Sequence, residues 1–205
     1  GRIGALTGSL LYWFKHDCSS IIPVQIAMFV MLIIGAWDDL KKLSPGLKFV
    51  IEIVVVAALA LYNNYPVNDL HNLWHVHEIS PWVAWPLTII ACVGVINAIN
   101  MIDGVDGLSS GICIVAFSFF AWVFFRAHDF VRATLGLSIV GGLIPFFVMN
   151  VFGKRSKMFI GDAGTLMLGI VFCDFLMAML TKGSACAQRF EGTGFCLIAY
   201  ALAVL

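Results

Sequence analysis

Runs of apolar residues constrain the fold of this chain more than any other feature of its sequence. A membrane-spanning helix needs about 20 mostly apolar residues, because the hydrocarbon core is about 30 Å thick and a helix rises about 1.5 Å per residue. Hydrophobic residues make up 61% of the 205 residues and charged residues only 12%, which is more apolar than a water-soluble domain allows. We therefore predict an all-α fold, a polytopic transmembrane helix bundle of about eight spans, in one domain over residues 1–205. The runs lie near 3–14, 21–37, 47–62, 82–101, 108–125, 133–152, 163–181 and 194–205.

The chain ends and the charge balance narrow the class of protein. Gly1 is not a start methionine, and the last apolar run stops at Leu205 without a polar flank, so we expect a fragment of a longer protein, truncated at both ends. With 12 basic and 12 acidic residues the net charge is zero, so we expect no nucleic-acid partner and no polybasic lipid anchor. The six cysteines form no CxxC pair and are interpreted as small core residues.

Three acidic segments lie at the ends of predicted spans: Asp38-Asp39, the stretch from Asn97 to Gly107, and Gly161-Asp162. Two spans separate each segment from the next, and an even number of crossings returns the chain to the same side of the membrane. We therefore predict that all three segments face one compartment. Basic residues favour the cytoplasm for that side, because loops facing it carry more Lys and Arg. The predicted inside set is Arg2, Lys41, Lys42, Lys48, Lys154, Arg155 and Lys157, and the outside set is Lys15, Arg126, Arg132, Lys182 and Arg189.

Converging carboxylates indicate a cation-dependent site. They would repel one another at a membrane surface unless a cation neutralised them. Mg²⁺ prefers oxygen ligands, usually one or two carboxylates with phosphate oxygens and water, and Mn²⁺ is an alternative. Asp103 and Asp106 are three residues apart and would share a face of a helical turn, while Asp162 stands at a helix start, which can hold a phosphate. The pattern predicts Mg²⁺-dependent phosphoryl transfer.

Other interpretations of these segments stay open. A single Asp-Asp pair is usually a solvated turn, and only the combination of three segments on one side favours a site. A divalent-cation transporter with acidic residues along its path is the main functional alternative. Another lipid-active phosphotransferase or a prenyltransferase is a third, although the DGxDG spacing differs from a DDxxD motif.

The ordered motifs resemble those of a known enzyme family. Ala36-Trp-Asp-Asp39 with Leu43-Ser-Pro45 and Lys48, then Asn97 to Gly107, then Met158-Phe-Ile-Gly-Asp-Ala-Gly164, are similar to the polyprenyl-phosphate N-acetylhexosamine-1-phosphate transferases. Within that family, the residues of the motifs are most similar to those of the bacterial undecaprenyl-phosphate N-acetylglucosaminyl-1-phosphate transferases. These enzymes initiate the synthesis of lipid-linked cell-surface polysaccharides such as lipopolysaccharide. The resemblance covers almost the whole chain.

This resemblance implies an activity and a set of partners. The enzyme would transfer a phospho-sugar from a UDP-N-acetylhexosamine to undecaprenyl phosphate and release UMP. The site would face the cytoplasm from the bacterial inner membrane, among membrane lipids, and a homodimer stays open.

The resemblance also implies roles for individual residues. Asp38 and Asp39 would lie next to the lipid phosphate, with Asp38 orienting or deprotonating it, and Asp162 would ligate Mg²⁺. Asp103 and Asp106 would complete the catalytic set on the nucleotide side. The implied substrate-binding residues are Lys42 and Lys48 for phosphates, Asn100 and Asn150 for the nucleotide pocket, and Phe159 for stacking on uracil.

Two family motifs have no match in this chain, and several polar residues lie outside the motifs. The missing motifs are an early one with Pro, Lys and His and a later Arg/His-rich one, so independent activity of these 205 residues is doubtful. His71, His75 and His77 are predicted on the opposite side, in a structural or surface role. Glu52 is expected to pair with Lys48 on one helix face, and Asp174 to pack deep in a helix against a polar neighbour.

Overall fold

Six helices form the bundle in the computed structural model, which describes residues 21–63, 66, 69–73, 76–153, 159–181 and 186. All six helices are long and apolar enough to cross a membrane. They correspond to the six inner runs of the sequence, and the predicted spans 3–14 and 194–205 lie outside the described residues. In chain order the helices are α1 Ile22–Lys41, α2 Pro45–Asn63, α3 Pro81–Ile102, α4 Leu108–Arg126, α5 Phe130–Phe152 and α6 Gly161–Leu180.

A small antiparallel hairpin departs from the all-α prediction. Strand β1 (Asp69–Leu73) pairs with strand β2 (Val76–Glu78) between α2 and α3. The segment is polar and follows the end of a span, so no apolar run marked it in the sequence. His71 and His77 belong to these strands, and His75 lies outside the described residues. The hairpin follows the end of α2 that is distant from Asp38 and Asp39, as predicted from the number of spans between the segments.

Helix α6 is the centre of the bundle. Every residue from Ala163 to Leu180 is buried, so this helix is surrounded by protein, and its most extensive neighbours are α1 and α3. Glycines allow the close approach: a Cβ added at Gly35 of α1 would lie 2.6 Å from the carbonyl carbon of Asp162, and one at Gly169 would lie 3.0 Å from Cα of Ile96. Small residues at such crossings are typical of helix packing in membranes.

Aromatic rings fill the contact between α4 and α6. Phe120 and Phe172 meet edge to face with their centroids 5.0 Å apart, and Phe124 meets Phe175 at the same distance. Such pairs add about 0.5–1.5 kcal/mol to the burial of their area. The inward residues Phe117, Phe120 and Phe124 therefore fill the core, while Phe125 remains 58% exposed.

Local sequence signals bring the acidic segments to one end of the bundle. Pro45 begins α2, where its missing N–H leaves no helical bond unmade. Gly107 before α4 and Gly161 at the start of α6 have φ of +71° and +74°, values that glycine adopts without steric cost. These turns place the last residues of α1 and α3 beside the first turn of α6.

Candidate active site

Lys48 links two of the predicted acidic segments. Its Nζ lies 2.7 Å from Oδ2 of Asp162 and 3.1 Å from Oδ2 of Asp38. The other oxygen of Asp38 accepts a 2.6 Å hydrogen bond from the backbone N–H of Leu43. The two carboxylates are thus close enough to share one cation, and Lys48 is only 14% exposed. Hydrogen bonds between charged groups in such partly buried positions are stronger than neutral ones.

Asp39 and Asp103 bind the backbone at the start of α6. Asp39 accepts hydrogen bonds from the N–H groups of Asp162 (3.1 Å) and Ala163 (3.3 Å). Asp103 accepts one from the N–H of Gly161 (3.0 Å) and another from the hydroxyl of Ser109 (2.6 Å). The first N–H groups of a helix have no intrahelical partner. Carboxylates from α1 and from the segment after α3 therefore provide the cap that α6 itself lacks.

Asn100 fixes the second oxygen of Asp162. Its Nδ2 lies 3.0 Å from Oδ1 of Asp162 and 2.9 Å from Oγ1 of Thr165. One Asp162 oxygen therefore faces the ammonium group of Lys48, and the other faces a neutral amide. This arrangement sets the direction of the carboxylate.

The remaining predicted residues are Lys42, Asp106, Asn150 and Phe159, of which only Asn150 is buried. Lys42 is exposed and adopts a left-handed conformation (φ +48°) directly after α1, and Asp106 is exposed in the loop before α4. Phe159 is 54% exposed two residues before Gly161. Asn150 is 2% exposed, and its Oδ1 has no hydrogen-bond partner. Its neighbour Val151 packs against Gly107, so Asn150 lies beside the DGxDG segment.

The donor set suits a hard divalent cation. The carboxylates of Asp38, Asp39, Asp103 and Asp162 lie together with the ammonium group of Lys48, so acidic groups outnumber basic ones among these five side chains. Oxygen ligands are the ones that Mg²⁺ prefers. Within the described ranges no three acidic, histidine or cysteine side chains form a protein-only metal site. Asp162, the predicted metal ligand, would hold such a cation with phosphate oxygens and water as further ligands, and its own oxygens contact Lys48 and Asn100 in this structure.

Sequence reasoning missed several contributors to this cluster. Thr165 and Ser109 bind Asn100 and Asp103, and neither small hydroxyl stands out from its apolar run. The expected pairing of Lys48 with Glu52 was wrong: in the described part of the chain the ion pairs of Lys48 are those with Asp38 and Asp162. Glu52 instead accepts a hydrogen bond from Asn97.

A second polar cluster lies at the opposite end of the bundle. Asp174, expected to meet a polar neighbour, accepts hydrogen bonds from Nε of Arg132 (3.0 Å) and Nδ2 of Asn63 (3.3 Å). Arg132 also bonds to Asp129 at 2.8 Å and is 5% exposed. Arg132 was counted among the loop charges that set the orientation, but it is a buried residue of α5. The cationic loop residues Lys154, Arg155 and Lys157 lie outside the described residues.

Three known proteins are similar in sequence to most of this chain. A probable undecaprenyl-phosphate N-acetylglucosaminyl 1-phosphate transferase of Bacillus subtilis is 30% identical over 82% of this chain and 46% of its own length. An undecaprenyl-phosphate alpha-N-acetylglucosaminyl 1-phosphate transferase of Haemophilus influenzae is 28% identical over 89% of this chain and 53% of its own length. A phospho-N-acetylmuramoyl-pentapeptide-transferase of Levilactobacillus brevis is 34% identical over 78% and 53%. The chain spans about half the length of these relatives.

The family assignment rests on a match across the whole described bundle. The model of glycosyl transferase family 4 matches residues 21–180, which begins just before α1 and ends with α6. The multi-pass helical architecture and the three acidic segments lie within this range. The chain therefore belongs to glycosyl transferase family 4.

Proposed function

We propose that this protein transfers N-acetylhexosamine 1-phosphate, with N-acetylglucosamine the foremost sugar, from a UDP-sugar to undecaprenyl phosphate and releases UMP. The reaction would take place at the cytoplasmic face of the bacterial inner membrane and begin the synthesis of a lipid-linked polysaccharide. The observation that carries the proposal is the meeting of Asp38, Lys48 and Asp162 at one end of the bundle. The names of the relatives support the same class of substrates.

The reaction requires a nucleophile held in place rather than a strong base. An oxygen of the lipid phosphate forms a bond to the β-phosphorus of the nucleotide sugar, and the bond from that phosphorus to the α–β bridging oxygen breaks. Asp38 stands at the end of α1, where an isoprenoid chain could stay in lipid while its phosphate reaches the cluster. We assign Asp38 to orienting or deprotonating this phosphate, with Lys48 and Lys42 offsetting the charge of the phosphates.

The other residues would hold the donor and the start of α6. Asp162, kept in direction by Asn100, would ligate Mg²⁺, which when bound would neutralise charge on the diphosphate. Asp39 and Asp103 would keep the first turn of α6 in place for this purpose. Asp106, Asn150 and Phe159 would surround the nucleotide. Positioning and charge neutralisation are the contributions expected of the protein, because phosphoryl transfer needs little covalent chemistry from it.

Cation transport is less compatible with the positions of the acidic residues. A transporter would place its ligands near the middle of the membrane on broken helices. Asp39 lies in the last turn of α1, Asp103 follows the end of α3, and Asp162 is in the first turn of α6. The cluster therefore lies at helix ends, where a cytosolic nucleotide and a lipid headgroup can both reach it.

An exchange assay tests the proposal. Membranes that contain the full-length protein are incubated with labelled UMP, UDP-N-acetylglucosamine and undecaprenyl phosphate, with Mg²⁺ or with EDTA. We expect label to enter the nucleotide sugar with Mg²⁺ and not with EDTA. Mn²⁺ should support the exchange in place of Mg²⁺. No exchange in membranes that contain the intact protein would contradict the transferase assignment, and uptake of divalent cation by proteoliposomes would favour the transporter.

The identity of the sugar needs a separate comparison. The Levilactobacillus brevis relative is named for a phospho-N-acetylmuramoyl-pentapeptide, whereas two others are named for N-acetylglucosaminyl 1-phosphate. We expect exchange with UDP-N-acetylglucosamine to exceed exchange with the N-acetylmuramoyl-pentapeptide donor. The reverse order would assign the protein to the other donor and leave the transfer reaction unchanged.

A further inference from the structure

We propose that Glu52 and Asn97 act as positioning residues, which hold Lys48 and Asn100 against Asp162 from one helical turn deeper in the bundle. The catalytic consequence of this inference rests on the proposed function, whereas the placement of Lys48 and Asn100 does not. Glu52 lies outside the motifs that carried the family resemblance and was expected only to pair with Lys48. Asn97 begins the segment from Asn97 to Gly107 but was given no role there.

Spacing along two helices puts these residues beneath the site. Glu52 follows Lys48 by four residues on α2, and Asn97 precedes Asn100 by three residues on α3. Residues at these separations lie on the same helix face with Cβ atoms about 5–6 Å apart. Lys48 and Asn100 both bond to Asp162, at 2.7 Å and 3.0 Å. Each helix therefore presents one residue to Asp162 and another one turn further into the bundle.

A hydrogen bond joins the two deeper residues. Nδ2 of Asn97 donates to Oε2 of Glu52 and also to the backbone carbonyl of Val93, at 2.9 Å for the latter. The bond to Val93 ties the Asn97 side chain to its own helix, so its direction is fixed before it meets Glu52. The pair thus connects α2 directly to α3, whereas Lys48 and Asn100 connect the same helices through α6.

The burial of Glu52 argues for a purpose beyond packing. It is 1% exposed, and its Oε1 has no hydrogen-bond partner. Burying a carboxyl oxygen without a hydrogen-bond partner is unfavourable, and an apolar residue at this position would avoid that cost. The carboxyl group is therefore placed where its hydrogen bond to Asn97 supports the side chains that contact Asp162.

Chemical labelling of Lys48 tests the inference without relying on enzymatic activity. The full-length protein in membranes is treated briefly with acetic anhydride, and the acetylated fractions of Lys48 and the exposed Lys41 are compared by mass spectrometry. We expect little acetylation of Lys48 in the wild-type protein. Its acetylation should rise about fivefold or more in Glu52→Ala and Asn97→Ala, because Lys48 would then be away from Asp162 more often. Glu52→Gln, which keeps the oxygen that accepts from Asn97, should stay within about twofold of wild type.

A matched variant separates positioning from general loosening of α2. Val56 is 0% exposed one turn beyond Glu52 on the same helix, so Val56→Ala removes buried volume but no polar contact. We expect Val56→Ala to lower the thermal midpoint without raising Lys48 labelling. Equal labelling in wild type, Glu52→Ala and Asn97→Ala would overturn the inference. So would an increase in Val56→Ala as large as that in Glu52→Ala.

Kinetics then connect the placement to the reaction. In the UMP exchange assay, Glu52→Ala should reduce kcat about tenfold while the KM for the donor changes little. The double variant Glu52→Ala/Asn97→Ala should have a kcat no lower than that of either single variant. Additive losses would show that the two residues do not act as a unit. A labelling change in a protein that catalyses no exchange would retain the placement and reject the proposed function, so the two failures are distinguishable.

Discussion

Asp162 has a different partner on each side of its carboxylate, and this makes its charge easy to test. One oxygen faces Lys48 and the other faces Asn100. Asp162→Asn keeps the shape but removes the anion that attracts Lys48 and that would hold the metal. We expect UMP exchange to fall by at least about 10²-fold, as for other losses of a preorganised electrostatic group, while the membrane level of the protein stays normal.

A variant at the other end of the bundle controls for this loss. His75→Ala changes the segment between β1 and β2, on the side predicted to face away from the acidic cluster. It should leave exchange within about twofold of wild type. Turnover of Asp162→Asn at the wild-type rate would remove Asp162 from the metal site, and abolished turnover in His75→Ala would mean that the hairpin side was misplaced.

Asp39 and Asp38 are neighbours in sequence, but their contacts predict different effects on substitution. Asp39 accepts from two backbone amides of α6, whereas Asp38 contacts Leu43 and Lys48. In Asp39→Asn the new NH₂ group would face one of these amides, so the start of α6 should open more often. Hydrogen exchange of a peptide over residues 159–166 should quicken about tenfold or more in Asp39→Asn, because a hydrogen bond to a charged group contributes about 1.5–3 kcal/mol. Asp38→Asn should leave this peptide near the wild-type rate, and equal acceleration in both variants would contradict the capping role.

The residue scale shows what a sequence pattern can and cannot supply. The parity of spans correctly grouped Asp38, Asp103 and Asp162, because an even number of crossings is a property of the chain order. It could not show that Asp39 and Asp103 bind backbone amides, because that depends on the distance between helix ends. The partner of Lys48 was also mispredicted for this reason: spacing on one helix favoured Glu52, and the closer packing of α6 brought Asp162 instead.

At the scale of elements, the contact of α1 with the first turn of α6 sets the geometry of the site. A Cβ at Gly35 would lie 2.6 Å from the carbonyl carbon of Asp162, and its nearest atoms are backbone atoms of α6. Neither helix can relieve such a clash by a rotamer change. Gly35→Ala should therefore push α1 outward and lengthen the bonds that Asp39 makes to α6. We expect exchange to fall by about 10²-fold, in line with the effect of a misplacement of about 1 Å.

A glycine with free space provides the control for Gly35. A Cβ at Gly94 of α3 would meet nothing within 4 Å, so Gly94→Ala adds helix propensity without a clash. This change should raise stability by about 0.5–1 kcal/mol and leave exchange unaffected. Thermal midpoints and exchange rates of both variants, measured on the same preparation, check the contrast. If Gly35→Ala retained wild-type exchange, the close approach would not be needed for activity.

For the whole molecule, hydropathy predicted the six described helices because a bilayer demands uninterrupted apolar length. It could not identify α6 as the central helix. All of these runs are similarly apolar, and in a membrane a helix that is buried among other helices is as apolar as one that faces lipid. The motifs marked the acidic end of the bundle, but the other polar end was not apparent. Arg132 was assigned to a loop and Asp174 to the interior of a span, and 42 residues separate them.

The cluster at the opposite end secures the bundle without belonging to the site. Arg132 of α5 binds Asp174 of α6, which also binds Asn63 of α2, so three helices meet through one buried carboxylate. Asp174 is 0% exposed and Arg132 is 5% exposed. Removing one partner of a buried ion pair leaves the other charge uncompensated, which typically destabilises a protein by about 3–5 kcal/mol. We therefore expect Asp174→Ala to lower the thermal midpoint sharply.

The cluster of Arg132, Asp174 and Asn63 lies at the other end of α6 from Asp162. Substitutions in this cluster should therefore affect activity only by reducing the amount of folded protein. At a temperature where Asp174→Ala is still folded, exchange per folded molecule should remain within about threefold of wild type. Replacing both charges, as in Arg132→Met/Asp174→Leu, should restore part of the lost stability, since an apolar pair of similar volume is often neutral or better. Light-scattering or fluorescence melts and exchange assays on detergent-solubilised protein measure the two quantities separately. A loss of exchange in Asp174→Ala that exceeds its loss of folded protein would mean that α6 transmits the state of its far end to Asp162, and the cluster would then be part of the catalytic apparatus.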